Sequence, residues 1–161
     1  MAPLTRSYFC GASSTQIIYQ TIGRYFDEIV QEHPDNSALL VRHQGISWTY
    51  RELQARVDQL ASGLLALNVR PGDRVGIWGP NSSEWVLVQL ATAKIGAVMV
   101  CINPAYRLYE LEYALNKVSC SVLICDAQFK SSDYLGMITT LAPELALSGQ
   151  EHLQAEKLPH L

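Results

Sequence analysis

Four cysteines and four histidines are the side chains of this sequence best suited to hold a metal or supply a nucleophile. The cysteines stand at 10, 101, 120 and 125, and only Cys120 and Cys125 are close together. Their separation is not a zinc spacing, and the histidines add no ligand spacing beside them. Cys101 and Cys125 end apolar runs, where a free thiol behaves as a small buried hydrophobe. The cysteines therefore read as structural and reduced, with an intracellular, reducing compartment as the default. No Ser-His-Asp, Cys-His or paired-carboxylate arrangement emerges from the order of residues.

Phosphate binding fares no better. The glycines of GDRVGIWG (72–79) lack GxGxxG spacing and lie within a strand instead of opening a helix. GASST (11–15) has no lysine and no following glycine. Asp126 ends a predicted parallel strand, where α/β ligand crevices form, although capping a turn suits an aspartate there better. Trp78 and Trp85 would either line an apolar pocket or, as Trp85's helical spacing to Val88 and Gln89 favours, pack. The stretch CINPAYRLYEL (101–111) stops an apolar run at Asn-Pro. Pro104 keeps Asn103 out of the helical region, Asn103 can bond its own backbone, and Glu110 suits the first turn of a helix. Steering a strand end into a helix accounts for the whole stretch.

The elements that would position these residues follow from periodicity. Thr21 caps a helix with Ile22, Tyr25, Phe26, Ile29 and Val30 on one stripe, ended by His33-Pro34-Asp35. SALLVR (37–42) and ISWT (46–49) form a β-hairpin around a glycine turn. Thr49-Tyr50-Arg51-Glu52 is a capping box, and the helix it starts runs to about Leu67. That helix buries Leu53, Val57, Leu60, Ala61, Leu64 and Leu65. RVGIWG (74–79), AVMVCI (97–102) and SVLICD (121–126) are strands. Between them lie helices over about 82–94, capped by the Asn81-Ser82-Ser83-Glu84 turn and ended by Gly96, and over about 108–117. A further helix spans about 132–141. The continuous apolar run AVMVCI predicts a strand covered on both faces.

Helices between apolar strands mean βαβ units, so the fold class is α/β with a parallel sheet, preceded by a helix and a β-hairpin. Composition agrees: of 161 residues 48% are hydrophobic and 17% charged, which is globular. A net charge of −3 gives no argument for a nucleic-acid partner. No apolar run is long enough to span a bilayer, and the start lacks a signal-peptide core. Three strands make a small parallel sheet, and nothing after Asp126 reads as a clear fourth. The stretch is expected to be the front of a larger domain.

One ordered set of motifs goes further: TYREL, ASGL, GDRVGIWGPNS, EWV, INPAYR and ELEYAL, at these distances over about residues 17–145. In this the chain resembles the opening of the adenylate-forming (AMP-binding) enzymes, particularly fatty acyl-CoA synthetases of the medium-chain type. The resemblance implies a fragment of that fold's large N-terminal domain (17–145), with a leader over 1–16 and a polar connecting segment over 146–161. It implies a full-length ligase that activates a fatty acid or other small carboxylate with ATP and Mg2+ to an acyl-adenylate, then transfers the acyl group to CoA. The family's phosphate loop, aromatic-Gly-Thr-Glu motif, ribose-binding Asp and C-terminal Lys have no matching positions here. No catalytic, cofactor-binding, substrate-binding or metal residue is therefore assigned, and residues 1–161 alone are expected to be inactive scaffold without bound cofactor. The expected compartment is the cytoplasm, with the mitochondrial matrix as the alternative. An unpaired sheet edge predicts self-association of the isolated stretch; the alternative reading is a stand-alone, non-enzymatic module acting through that edge.

Overall fold

The structure, a computed structural model, describes residues 11, 14–15, 17–146 and 153–161. Cys10, most of the expected leader and residues 147–152 of the tail lie outside them. Helix α1 (Ile22–Glu32) begins where the Thr21 hydroxyl accepts the Arg24 amide at 3.3 Å. Its buried face is Gly23, Phe26 and Val30, narrower than the expected stripe: Ile22 is 63% exposed and Tyr25 43%. The reason is a close helix approach. A Cβ on Gly23 would lie 2.9 Å from the Cα of Lys94, so the missing side chain, and not the number of apolar ones, decides which face turns inward.

Strands β1 (Ser37–Val41) and β2 (Ile46–Thr49) pair antiparallel, and Gly45 closes their turn in the left-handed region at φ 66°. Helix α2 (Tyr50–Ala66) carries the predicted capping box. Thr49 Oγ1 accepts the Glu52 amide at 3.3 Å, and Glu52 Oε2 accepts the Thr49 amide at 2.8 Å. Leu53, Val57, Ala61 and Leu64 are buried along it, whereas Leu60 is half-buried and Leu65 faces solvent.

Strands β3 (Arg74–Trp78), β4 (Val98–Ile102) and β5 (Val122–Cys125) form a parallel sheet in the order β4-β3-β5. They are linked by α3 (Ser83–Ile95) and α4 (Leu108–Lys117). Gln128–Phe129 and Ser132–Asp133 make a small hairpin, β6 and β7, before α5 (Tyr134–Leu141). One face of the sheet, with Val75 and Ile77, packs on α1, α2 and α3; the other, with Trp78 and Ile102, packs on α4 and α5. Gly76 gives the second face its room: a Cβ there would meet Cys120 Sγ at 3.0 Å and Ile102 Cδ1 at 3.1 Å.

Several expectations change in three dimensions. Strand β4 is not covered on both sides, because it is one of the two outer strands of the order: Val98 is 49% exposed and Cys101 is also exposed. Cys101 is thus no buried hydrophobe, unlike Cys120. Ser82 makes no side-chain cap on α3; Gln44, from the β1–β2 turn, accepts the Ser83 amide at 2.8 Å instead. The described end of the tail, residues 153–161, is irregular as expected, yet Ala155 and Leu158 are buried in the core beside α4 and α5. Asn116 Nδ2 holds it by donating to the Lys157 carbonyl at 2.8 Å.

Candidate functional site

The sheet topology names the place to look. Strand β3 passes by way of α3 to β4 on one side, and the chain then crosses to β5 on the other, so loops leave the C-terminal ends of β3 and β5 in opposite directions. Such a switch point is where open α/β sheets form their ligand crevice. It brings together Trp78, Gly79 and Ser82 from the end of β3 and its loop with Cys125 and Asp126 from the end of β5 and its loop, while Trp85 comes from α3.

Here the switch point is filled by scaffold. Trp78 is fully buried and stacks on Tyr134, with ring centroids 3.8 Å apart and planes inclined by 26°. Its indole Nε1 donates to the Asn103 carbonyl at 3.1 Å, and the Tyr134 hydroxyl donates to the Pro104 carbonyl at 2.7 Å. Asn103 Oδ1 accepts the Ala105 amide at 2.9 Å, as its turn chemistry predicts, and its carbonyl also accepts the Tyr106 amide at 3.0 Å. Glu110 Oε2 accepts the Arg107 amide at 3.1 Å at the start of α4. Asn103-Pro104 therefore ties β4, β3 and α5 together. The sequence flagged Trp78 and Asn103 but not Tyr134, whose partner lies thirty positions away in the chain.

What remains of the crevice is about 40 Å³. Glu84 and Asp126 are its charged lining residues, with no cation among them. Trp85 Nε1 points inward without a hydrogen-bond partner. Burial, reinforced by the Asp126 charge, pushes the Cys125 thiol up, and the same two causes push up the Tyr134 phenol. Both stay protonated near neutral pH and supply no nucleophile. The α3 N-terminus, the natural anion site, already spends its Ser83 amide on Gln44. Lys94 is committed to Asp27 at 2.7 Å and to Asp58. Volume, charge and donors here do not fit ATP or CoA, and among the described residues no three His, Cys, Asp or Glu side chains come together to hold a metal ion.

A larger concavity adjoins it, sharing Glu84 and Ile124. A groove of about 540 Å³ runs between α2, α3 and the hairpin, with Leu60, Leu87, Val88 and Ile124 along it. Arg56 stands at its wall with the guanidinium 4.4 Å from the Trp48 ring centroid. It is apolar, one-sided and flanked by β5.

Residues 26–159 match the AMP-binding enzyme family. The chain is 44% identical over 155 residues to "Medium-chain acyl-CoA ligase ACSF2, mitochondrial" of Bos taurus, covering 96% of this chain and 25% of that protein. It is 36% identical over 146 residues to "Putative acyl-CoA synthetase YngI" of Bacillus subtilis (strain 168), covering 91% and 27%. Among solved structures, "Mycobacterium tuberculosis fatty acyl CoA synthetase" superposes with a TM-score of 0.69 at 27% identity, covering 75% of this chain and 23% of that one. The chain thus spans about a quarter of the length of the curated relatives it matches.

Proposed function

The chain belongs to the AMP-binding enzyme family, and from that premise we propose that it is the scaffold portion of a fatty acid–CoA ligase, its ATP, Mg2+ and CoA contacts being made by residues outside these 161. One observation carries the reading: the switch-point crevice, where an α/β sheet would take a ligand, is packed with Trp78 and Tyr134 and lined by carboxylates. Residues 17–145 are the front of the N-terminal domain, residues 1–16 its leader, and the tail from 146 its connection, pinned through Leu158. The substrate of the whole protein is a medium-chain fatty acid, a reading supported by the name of the bovine relative. The same name favours a mitochondrial compartment over the cytoplasm. Among the described residues no helix is long and apolar enough to cross a membrane.

Carboxylate-dependent ATP–pyrophosphate exchange tests this directly. Purified residues 1–161 should give none above background with octanoate, and exchange above background would overturn the assignment of chemistry to other residues. A second reading, a non-enzymatic module acting through a sheet edge, is favoured by the outer side of β4, which presents Val98 and Cys101. We propose that isolated copies associate along that edge. Light scattering after size exclusion should show dimers at high concentration, and a monomer throughout would refute the association.

A further inference from the structure

We propose that β4 and α4 together form a two-fold interface with a second copy of this chain, the β4 strands pairing antiparallel about Val100 and the α4 helices packing antiparallel beside them. The inference rests on the edge association proposed above, and gives it a register and a second layer of contact. The strand is the first argument. The Val98 amide donates to the Asp73 carbonyl at 2.7 Å. Alternation then turns the amides and carbonyls of Met99 and Cys101 outward, away from β3. Such an edge complements itself. With Val100 facing its own copy, the Met99 amide meets the Cys101 carbonyl across the axis, and the Cys101 amide meets the Met99 carbonyl. The same register lays Ile102 of the second copy over Val98, which is 49% exposed.

Helix α4 carries the same symmetry. A groove of about 280 Å³ lies between it and the β4 edge, lined by Val100, Ile102, Tyr106, Tyr113 and Lys117. Tyr109 and Tyr113, one turn apart, are 80% and 60% exposed, an aromatic ridge of the kind that interfaces bury. Glu110 and Lys117 stand two turns apart on one face with Tyr113 between them. Neither joins an ion pair among the described residues. Turned end over end, the helix sets Glu110 against Lys117 of the copy and Lys117 against its Glu110, with Tyr113 near the axis. This charge order fits a second copy of the same face, and a parallel arrangement would set like against like. Because α4 crosses back over the sheet, it runs antiparallel to β4. One axis perpendicular to the sheet, passing Val100 and Tyr113 in their shared groove, therefore reverses both elements at once.

Two measurements on residues 1–161 test the interface. In a background of Cys10→Ser and Cys101→Ser, oxidised glutathione should cross-link Val100→Cys into a dimer. Facing residues of a non-hydrogen-bonded antiparallel pair lie about 4.5 Å apart at Cα, within reach of a disulfide. Val98→Cys, displaced from its copy by about 13 Å along the strand, should stay uncross-linked. Sedimentation equilibrium reads the helices. Lys117→Glu and Glu110→Lys should each raise the dimer dissociation constant about tenfold, and the double reversal should restore it, which a folding defect would not do. Circular dichroism confirms the fold of each variant. Dimers that fail to cross-link through Val100→Cys, cross-link equally through Val98→Cys, or ignore both single reversals would overturn this interface and leave edge association standing. A monomer throughout would overturn both. So would a monomer whose Met99 and Cys101 amides already exchange slowly, since this chain's own residues would then cover the edge.

Discussion

Glycine-to-alanine substitutions at two positions should change stability in opposite directions. At Gly63, midway through α2, an added Cβ meets open space, and backbone φ is unremarkable. Replacing a mid-helix glycine by alanine there removes unfolded-state freedom and stabilises by about 0.5–1 kcal/mol. At Gly76, in the middle strand, the new methyl would sit 3.0 Å from Cys120 Sγ, 3.1 Å from Ile102 Cδ1 and 3.2 Å from Leu123 Cδ1. Each neighbour must give by a few tenths of an ångström at once, and overpacking of this kind costs about 1–3 kcal/mol. The entropic gain offsets part of it, leaving a net loss on the order of 1 kcal/mol. The two variants should therefore differ by about 2 kcal/mol, or about 4–8 °C in melting temperature for a chain of this size. Urea denaturation followed by tryptophan fluorescence and by far-ultraviolet circular dichroism reads the difference. If Gly76→Ala is as stable as the parent, the packing of Ile102, Cys120 and Leu123 around the middle strand is looser than these distances state. If Gly63→Ala is destabilised, α2 does not present that position to the open groove.

Removing the Tyr134 hydroxyl with Tyr134→Phe leaves the Pro104 carbonyl without this donor and should cost about 1 kcal/mol in the same denaturation assay; an unchanged midpoint would show that the bond contributes nothing. Burial works to raise the Asp27 carboxyl, but hydrogen bonds from Lys94 and Gln54 outweigh it and hold its pKa below the usual 3.8, so its contribution is present above that value and fades as pH falls through the lowered one. Lys94 is the converse: burial lowers it, its bonds to Asp27 and Asp58 raise it past 10.5, and its contribution is complete below that pH and lost as pH climbs through the raised value. Asp27→Asn should consequently cost less than about 1 kcal/mol at pH 7, given a carboxylate 36% exposed, and the gap to the parent should close below pH 3.8. A gap constant from pH 7 to pH 2.5 would rule out that linkage. Peptide-mapped alkylation at pH 8 should label exposed Cys101 at least about tenfold faster than Cys120 and Cys125, whose thiols burial pushes up; labelling of Cys120 at the Cys101 rate would contradict the buried second core.

What the sequence made legible was whatever a few neighbouring residues decide together. Thr49 and Glu52 are three apart and satisfy each other's amides, so the start of α2 needed no knowledge of the fold. Gly96 at φ 76° and the Asn103 turn belong to the same class. The elements resting on distant partners were not legible. Gln44 caps α3 from thirty-nine positions away, and nothing in RHQG distinguishes that glutamine from a solvated one. Lys94 sits in the last turn of α3, where a cation suits the helix dipole, yet its fixed position comes from carboxylates on two other helices. The misreading of β4 follows from the same limit. Five apolar residues in a row establish a strand, but whether both sides are covered depends on the strand's place in the sheet order, which is a property of crossovers. The candidate site divides along this line too. Asn103-Pro104 was recognisable as a steering turn from its own chemistry, whereas the stacking that closes the crevice joins Trp78 at the end of β3 to Tyr134 at the start of α5. A switch point in an α/β sheet is thus only a geometrical opportunity; side chains arriving from elsewhere decide whether it becomes a binding site or, as here, a knot that ties the ends of β3 and β4 to the start of α5.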